Sequence, residues 1–375
     1  MTLFAPDLFG PDANKTWYRT YRELQDQAPV YKVPDLNMFV LTRYDDIAAV
    51  VRDNDTFSNE AEKHGGEPLL LHPEARAIYA EKGWPKTFPL ALDPPNHKKY
   101  RQLVDPFFQP AFLEKARPVI TALTNELIDG FAGEGEIEFV GAFANPLPTT
   151  VITVLLGLPV SDIPQLKVWS AAWAAPFARG LSLEQEIWVA EQGVEFQQYL
   201  KGHIDERRKA PRDDMITRLV QSEVDGRELS DGELVSIIDH LYIGGNETTA
   251  FSLASGMWLM LREPAIYERL KTDKAKVRTF VEEVLRLESP TQGLYRTATR
   301  DTEIRGVFVP KGATVHLRFA AANRDEAVFK DSERLDLDRP NAIRHMAFSQ
   351  ADHHCPGANL SRLEQHIAFA ALIER

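Results

Sequence analysis

The sequence predicts a mainly α-helical fold with a minor β region, an α+β class, and three observations lead to that prediction. Apolar residues recur at three- and four-residue spacing through most of the first two-thirds of the 375 residues. Strand-like alternation is confined to a few short segments. One helix begins at the capping box Ser230-Asp-Gly-Glu233 and continues to about Leu261, far beyond the average of about 11–12 residues. A helix of that length would cross the whole domain.

A short hairpin and a series of helices are predicted along the first two-thirds of the chain. Val30–Lys32 and Met38–Leu41, separated by Pro34-Asp-Leu-Asn37, predict a short hairpin, and a helix is expected from about Tyr44 to Arg52. Helical spacing then continues through six segments: 96–104, 112–130, 142–158, 161–175, 183–209 and 215–223. Alternation predicts strands at 294–299, 303–308 and 313–317, with the turn Val309-Pro-Lys-Gly312 between the last two.

Composition narrows the class of protein. The net charge of −12 argues against a nucleic-acid partner, and the N-terminus lacks the basic and apolar regions of a signal peptide. The longest apolar run, 151–158, is too short for a membrane span, and a single cysteine indicates a reducing compartment, so a cytoplasmic protein is expected. No linker or repeat divides the chain, which predicts a single domain over residues 1–375.

The only cysteine, Cys355, lies in a loop between Phe348 and Gly357, just before a predicted helix over 358–372. It cannot form an intramolecular disulfide. A lone cysteine is most often a small buried apolar residue. His353 and His354 offer a zinc alternative, but adjacent residues rarely converge on one tetrahedral centre. A sulfur just before a helix N-terminus is favoured as a thiolate, which is the form that an axial iron ligand takes.

The long helix contains Ile243-Gly-Gly-Asn-Glu-Thr-Thr-Ala250. Two adjacent glycines disfavour a helix by about 1–2 kcal/mol together, and close packing against another helix is a common reason for them. They would also let a ligand approach the backbone. Glu247 and Thr248 follow at once in an otherwise apolar stretch, so this carboxyl and hydroxyl could deliver protons into a dry pocket.

Two further pairs of charged or basic residues stand at helical spacing, and each pair by itself is only weak evidence for a functional site. Glu283 and Arg286 stand at i, i+3 among apolar residues, and the usual interpretation is a surface salt bridge, although a buried bidentate pair is possible. His97 and Arg101 stand at i, i+4 on a helix that Pro94-Pro95 would start. Exposed basic residues are common, but a cofactor that carries carboxylates would give this pair a reason to face inward.

Together and in this order, these motifs resemble those of the bacterial, soluble cytochrome P-450 superfamily, the haem-thiolate monooxygenases. The resemblance runs from about residue 7 to the last residue and implies the cytochrome P-450 fold, with the long central helix over the haem. Two departures stand out. The family has glycine where this chain has Ser349 and Ala351. Family members also continue beyond the position of Arg375, so a chain cropped at its C-terminus is expected.

The resemblance implies a role for each site residue. Cys355 would be the metal ligand and Phe348 would pack near its sulfur. Glu247 and Thr248 would be the acid and alcohol that supply protons for oxygen activation. Glu283 and Arg286 would be structural, with Arg334 or Arg339 as the third partner. Haem binding would use the remaining residues: His97, Arg101, Arg296 and His353 for the propionates, and Gly244, Gly245 and Gly357 for close approach.

The implied function is insertion of one atom of O2 into a C–H bond of a small hydrophobic substrate, with one haem b per chain and electrons from a ferredoxin system. A monomer without a membrane or nucleic-acid partner is expected. A peroxide-driven enzyme is the second interpretation, but such enzymes usually lack the acid–alcohol pair. A haem sensor is the third, and it would not need the Gly244–Thr249 motif. The pocket segments proposed are 86–92, 169–177, 242–245 and 291–295, whose composition favours an apolar ligand.

Overall fold

The computed structural model describes Pro6, Leu8 and residues 13–85, 88–178 and 180–375. Residues 86 and 87 of the proposed pocket segment 86–92 therefore lie outside the described residues. The chain divides into two compact units. Unit 1 comprises Met1–Gly66 and Arg278–Cys355, and unit 2 comprises Glu67–Val277 and Pro356–Arg375. The expectation of a single domain stays a prediction.

Helices predominate in the described part of the chain. The α-helices are α1 Ala13–Gln27, α2 Tyr44–Val50, α3 Pro73–Lys82, α4 Asn96–Val104, α5 Pro110–Asp129, α6 Pro146–Leu156, α7 Ile163–Ala174, α8 Leu183–Lys209, α9 Met215–Val220, α10 Asp231–Arg262, α11 Pro264–Thr272, α12 Val277–Leu287, α13 Phe319–Ala322 and α14 Ala358–Glu374. The strands are β1 Val30–Lys32, β2 Met38–Leu41, β3 Phe57–Ser58, β4 Glu223–Val224, β5 Arg227–Glu228, β6 Leu294–Ala298, β7 Thr302–Ile304, β8 Val307–Val309 and β9 Thr314–Leu317. The mainly helical α+β class is confirmed.

Unit 1 is built on a five-stranded sheet of order β1-β2-β9-β6-β3. The predicted hairpin β1–β2 is antiparallel, with Val30 opposite Leu41, whereas β2 and β9 run parallel. Phe39, Leu41 and Val315 from this sheet share a buried core with Ile47 of α2. The sheet carries Arg296 on β6 and, through its core, supports α2.

One predicted strand is wrong. The segment 303–308 is a hairpin of β7 and β8, turned at Arg305 and Gly306. Both residues have positive φ, of 50° and 79°. Alternation of side chains alone does not reveal such a turn, because Arg305 is not a typical residue for the left-handed region.

Unit 2 is organised around α10, which has 32 residues and is about 48 Å long. The predicted capping box is confirmed, because the Ser230 side chain accepts from the Glu233 N–H while the Glu233 side chain accepts from the Ser230 N–H. Helices α6, α8 and α14 pack against α10. Gly256 marks a close approach of α14, since a Cβ there would lie 2.3 Å from Phe369 Cζ. This packing aligns the helix that carries Thr248 with the helix that follows Gly357.

The bounds of α4 and α8 agree with the prediction to the residue, while α1, α3 and α11 are helices that the periodicity analysis did not single out. The segment 142–158 divides into a π-helical turn, Val140–Ala144, and α6, because Pro146 starts a new helix. No helix in the described part of the chain is both long and apolar enough to cross a bilayer.

Candidate functional site

The cysteine loop of unit 1 closes on itself through its backbone. The Cys355 N–H donates to the Phe348 carbonyl oxygen at 2.9 Å. The thiol is half-buried and forms no disulfide. The Phe348 ring lies between two imidazoles, with centroid separations of 5.7 Å to His345 and 6.4 Å to His354. Two residues further along the chain from Cys355, Gly357 is the N-cap of α14, and the helix begins at Ala358, as the sequence predicted.

The loop from Phe348 to Cys355 closes although Ser349 and Ala351 stand where the family that it resembles has glycine. Ser349 and Ala351 both have φ of 57°, in the left-handed region that glycine adopts without cost. Both residues therefore hold a left-handed conformation although they carry side chains.

The second feature of unit 1 is a fully buried ion cluster on α12. Arg286 donates to both oxygens of Glu283, from Nε at 2.6 Å and from Nη2 at 2.9 Å. Arg339 Nε lies 3.0 Å from Glu283 Oε1, and the Asp336 N–H donates to Oε2 at 2.9 Å. Arg334 contributes only its carbonyl oxygen, which accepts from Arg286 and from Arg339. Arg339 is therefore the third partner that the sequence left open.

Two predicted propionate ligands also belong to unit 1. Arg296 is 2% exposed, and its Nη1 donates to the Tyr295 carbonyl oxygen at 2.8 Å. His353 is partly exposed, and its Nε2 lies 2.8 Å from Asn59 Nδ2. A buried guanidinium is costly unless charges compensate it, so the burial of Arg296 fits a role toward an anionic group.

In unit 2, α10 presents the glycine motif. The Thr248 hydroxyl donates to the Gly244 carbonyl oxygen at 3.0 Å, a bond from residue i to i−4 that bends helices. A Cβ at Gly244 would meet nothing within 4 Å, whereas one at Gly245 would lie 2.9 Å from Ile152 Cγ1 on α6. Gly244 thus faces open space and Gly245 serves helix packing. Burial raises the pKa of Glu247.

The basic pair on α4 faces inward. His97 is 2% exposed, and the Arg101 side chain is 15% exposed. Arg101 Nε donates to Asp105 Oδ1 at 2.8 Å, one turn further along the helix. The interpretation of this pair as exposed surface residues is therefore excluded by their burial.

Polar contacts also join α10 to α14 inside unit 2. The Thr249 hydroxyl donates to Ser361 Oγ at 3.0 Å, and the Ser252 hydroxyl donates to Gln365 Oε1 at 2.7 Å. Ser252 and Gln365 are fully buried. These bonds fix the register between the helix of the acid–alcohol motif and the helix that begins after the cysteine loop.

The donor set matches the chemistry of haem. The chain offers one thiol for a soft metal, buried cationic groups for carboxylates, and open space beside a glycine of α10. In the described residues, no group of three or more His, Cys, Asp or Glu side chains is arranged to hold a metal ion. Unit 1 carries Cys355, Phe348, Arg296 and His353, and unit 2 carries His97, Arg101, Gly244, Glu247 and Thr248.

Comparison with known proteins decides the family. The family model "Cytochrome P450" matches residues 183–375. "Putative cytochrome P450 YjiB" of Bacillus subtilis is 34% identical over 361 residues, which cover 95% of this chain and 86% of that protein. The chain belongs to the cytochrome P450 family.

Two more relatives bear on this cytochrome P450. "Cyclomarin C epoxidase CymV" of Salinispora arenicola is 32% identical over 366 residues, 97% of this chain and 90% of that protein. The crystal structure of CYP109E1 from Bacillus megaterium in complex with testosterone is similar with a TM-score of 0.80 and 31% identity, covering 96% of this chain and 90% of that one. The P450 fold and the assignment as a bacterial-type P450 monooxygenase with a haem cofactor follow.

The sequence did not single out a buried pair beside the P450 cysteine loop. His345 Nε2 lies 3.0 Å from Glu282 Oε2, and the Ala347 N–H donates to His345 Nδ1 at 3.2 Å. The His345 side chain is 1% exposed. Because Nδ1 accepts a hydrogen bond, Nε2 carries the proton and donates to Glu282. The only available signal was the adjacency of Glu282 to Glu283, which does not reveal a partner 63 positions away.

Proposed function

We propose that this cytochrome P450 binds one haem b per chain, that Cys355 would be its thiolate ligand, and that it oxidises C–H bonds of small hydrophobic substrates with electrons from a ferredoxin system. The observation that carries the proposal is the cysteine loop, in which the only thiol of the chain is held by the bond from its own N–H to Phe348. The loop's order of Phe348, His353, Cys355 and Gly357 supports the same assignment.

When bound, haem supplies the redox chemistry, in which O2, two electrons and two protons convert a C–H group into an alcohol and one water. The chain's own residues then have four tasks. Cys355 holds the metal. Arg296, His353, His97 and Arg101 compensate the two propionates through charge-assisted hydrogen bonds. Apolar segments exclude water, and Glu247 with Thr248 manages protons.

The geometry of Thr248 supports its proton role. The hydroxyl has one proton, and it is donated to the Gly244 carbonyl oxygen at 3.0 Å. The oxygen of Thr248 thereby keeps its lone pairs to accept a hydrogen bond from a water molecule or a polar reactant. Glu247 is the next residue, and its raised pKa means that more of this carboxyl is protonated near neutral pH than for an exposed glutamate. A carboxyl whose pKa is raised toward the working pH is better suited to give and take protons during turnover.

The substrate class rests on the hydrophobic composition of the pocket segments and on the relatives. Testosterone, which is bound in the related CYP109E1 structure, is a compact apolar molecule. Cyclomarin C epoxidase shows that the family's chemistry extends beyond hydroxylation. A small, largely apolar substrate is the common expectation for this chain. A cytoplasmic monomer stays a prediction.

The deciding experiment is spectroscopic. The ferrous carbonyl complex of the purified holoenzyme should show the red-shifted absorption band of thiolate ligation, and Cys355→Ser should abolish that band together with oxygenase activity. His354→Ala is the matched control, because an exposed neighbouring imidazole should leave the band in place. A histidine-type band in the wild type, or its conversion by His354→Ala, would overturn the assignment of Cys355.

Electron delivery and substrate need separate assays. Turnover of a screened substrate should depend on NAD(P)H, a ferredoxin reductase and a ferredoxin, and omission of the ferredoxin should stop it. Substrates can be found by screening an apolar compound library for shifts of the haem absorption spectrum. Equal turnover with hydrogen peroxide alone would instead favour the peroxide-driven enzyme.

A further inference from the structure

The cysteine loop contains two residues whose backbone conformation is unfavourable for their type. Ser349 and Ala351 both have φ of 57°. The other non-glycine residues with positive φ in the described part of the chain are Asp35, Asp225, Arg305 and Asp331. Aspartate tolerates this region because its short polar side chain bonds locally, but alanine has no such side chain. Something outside the loop's own residue types must hold residues 349–351 in place.

One segment of unit 1, residues 44–59, contacts the loop at successive side chains. The Gln350 Nε2 donates to the Tyr44 hydroxyl at 2.9 Å, and the Gln350 Oε1 accepts from Arg52 Nη2 at 3.1 Å. Gln350 lies between the two strained residues, and both the nitrogen and the oxygen of its side-chain amide are bonded to the 44–59 segment.

Two asparagines of the same segment contact Asp352 and His353, the two positions that follow Ala351. Asn54 Nδ2 donates to Asp352 Oδ2 at 2.8 Å. Asn59 Nδ2 lies 2.8 Å from His353 Nε2. Tyr44 also contacts the approach to the loop, because its hydroxyl donates to the Arg344 carbonyl oxygen at 2.8 Å. Residues 44–59 thus contact the loop before, between and after its strained residues.

The backbone of the loop transmits this restraint to Cys355. The Ser349 N–H donates to the Met346 carbonyl oxygen at 2.8 Å, and the His354 N–H donates to the Ala351 carbonyl oxygen at 3.0 Å. The bond from Cys355 to Phe348 closes the loop immediately afterwards. If Ser349 or Ala351 relaxed to negative φ, the direction of the chain would change and these bonds could not all form.

We propose that the 44–59 segment is the positioning element for Cys355. Its hydrogen bonds through Tyr44, Arg52, Asn54 and Asn59 stabilise the left-handed conformation that glycines at 349 and 351 would adopt without cost. The inference rests on the proposed function, in that Cys355 is taken as the haem ligand. It assigns positioning roles to residues about 300 positions away from the thiol, such as Asn54, whose bond to Asp352 spans 298 positions.

The test is a double-mutant cycle in the holoenzyme. Asn54→Ala removes one bond to the loop, and Ala351→Gly removes the strain that the bond offsets. Asn341→Ala is the matched control, because Asn341 Nδ2 donates to the Val328 carbonyl oxygen at 2.8 Å in the same unit, and Val328 is not a residue of the loop. Each variant is scored by the fraction of its ferrous carbonyl complex with the thiolate band and by the rate of haem loss to an excess of apomyoglobin.

Asn54→Ala is expected to lower the thiolate fraction and to accelerate haem loss about three- to tenfold, the effect of one solvent-exposed hydrogen bond of ordinary strength. Ala351→Gly alone should leave the thiolate fraction unchanged and haem loss unchanged or slower. In the double variant, glycine should restore haem loss to within about twofold of the Ala351→Gly single variant. Rescue by glycine is the signature of positioning, because a change at residue 351 would not offset the loss of a bond that is unrelated to the strain.

Two results would overturn the proposal. One is an Asn54→Ala variant that behaves like Asn341→Ala. The other is a double variant in which the defect of Asn54→Ala persists undiminished, which would make the bond a structural contact only. A wild-type holoenzyme without the thiolate band would refute the proposed function instead. In that case urea unfolding of the haem-free variants still measures whether positions 54 and 351 are coupled, and no coupling would refute the restraint itself.

Discussion

Removal of the Arg339 guanidinium should destabilise the protein strongly, whereas removal of Arg334 should not. Glu283 and Arg286 are fully buried, and the Arg339 side chain is 4% exposed. Arg339 lies 3.0 Å from Glu283 Oε1 and also donates to the carbonyl oxygens of Lys330, Asp331 and Arg334. The variant Arg339→Ala therefore leaves a buried carboxylate with one guanidinium instead of two and leaves backbone carbonyls without their donor.

The size of the effect follows from this environment. Breaking a buried ion pair by removal of one partner costs about 3–5 kcal/mol, because the remaining charge stays desolvated. The bidentate bonds from Arg286 to Glu283 remain, so the lower end, about 3 kcal/mol, is expected for Arg339→Ala. Arg334→Ala is the control, since the side chain is exposed and only its main-chain oxygen is used, and it should change the free energy of unfolding by less than about 0.5 kcal/mol.

Urea denaturation followed by circular dichroism measures both values at equal protein concentration. Arg339→Lys should recover part of the loss, because an ammonium can keep one contact but cannot reproduce the planar set of donors. Equal losses for Arg334→Ala and Arg339→Ala would refute the reasoning. A loss below about 1 kcal/mol for Arg339→Ala would refute it too, since that is the range of surface ion pairs.

Two further predictions concern the site, and a third concerns Glu364, which is 1% exposed on α14. Thr248→Ala should keep substrate binding and reductant consumption but divert much of the oxygen to hydrogen peroxide; unchanged coupling of NAD(P)H to product would exclude the role of this hydroxyl. Arg101→Ala and Arg296→Ala should each weaken haem binding without abolishing it, because four groups share two carboxylates, and haem titration with potentiometry would detect no change if the assignment is wrong. Burial raises the pKa of Glu364 well above its ordinary value of 4.5. As pH rises above 4.5, the unfolded chain loses this proton while the folded protein keeps it, so the free energy of unfolding falls. Glu364→Gln should therefore gain stability relative to wild type in urea unfolding as pH goes from 4 to 8, and a constant difference would contradict the buried, neutral carboxyl.

The local pattern predicted much of the fold. The bounds of α4 and α8 matched because their apolar spacing has no competing signal, and the capping box located the start of α10. The strand expected at 303–308 failed because the turn at Arg305 uses a conformation that the residue type does not announce. Cys355, Glu247 and Thr248 could be named from residue type and spacing alone.

By itself, the sequence determined which chemical groups exist and where helices can form, since a lone thiol, a glycine pair and apolar periodicity are properties of neighbouring residues. Only the tertiary structure showed that Arg339, and not Arg334, contacts Glu283, and that Gly245 packs against Ile152 while Gly244 faces open space. It also paired His345 with Glu282 and brought residues 44–59 to the cysteine loop. The physical reason is the separation along the sequence over which each effect acts. Propensity and spacing act over a few residues, whereas a hydrogen bond between positions 54 and 352 depends on the path of all the chain between them.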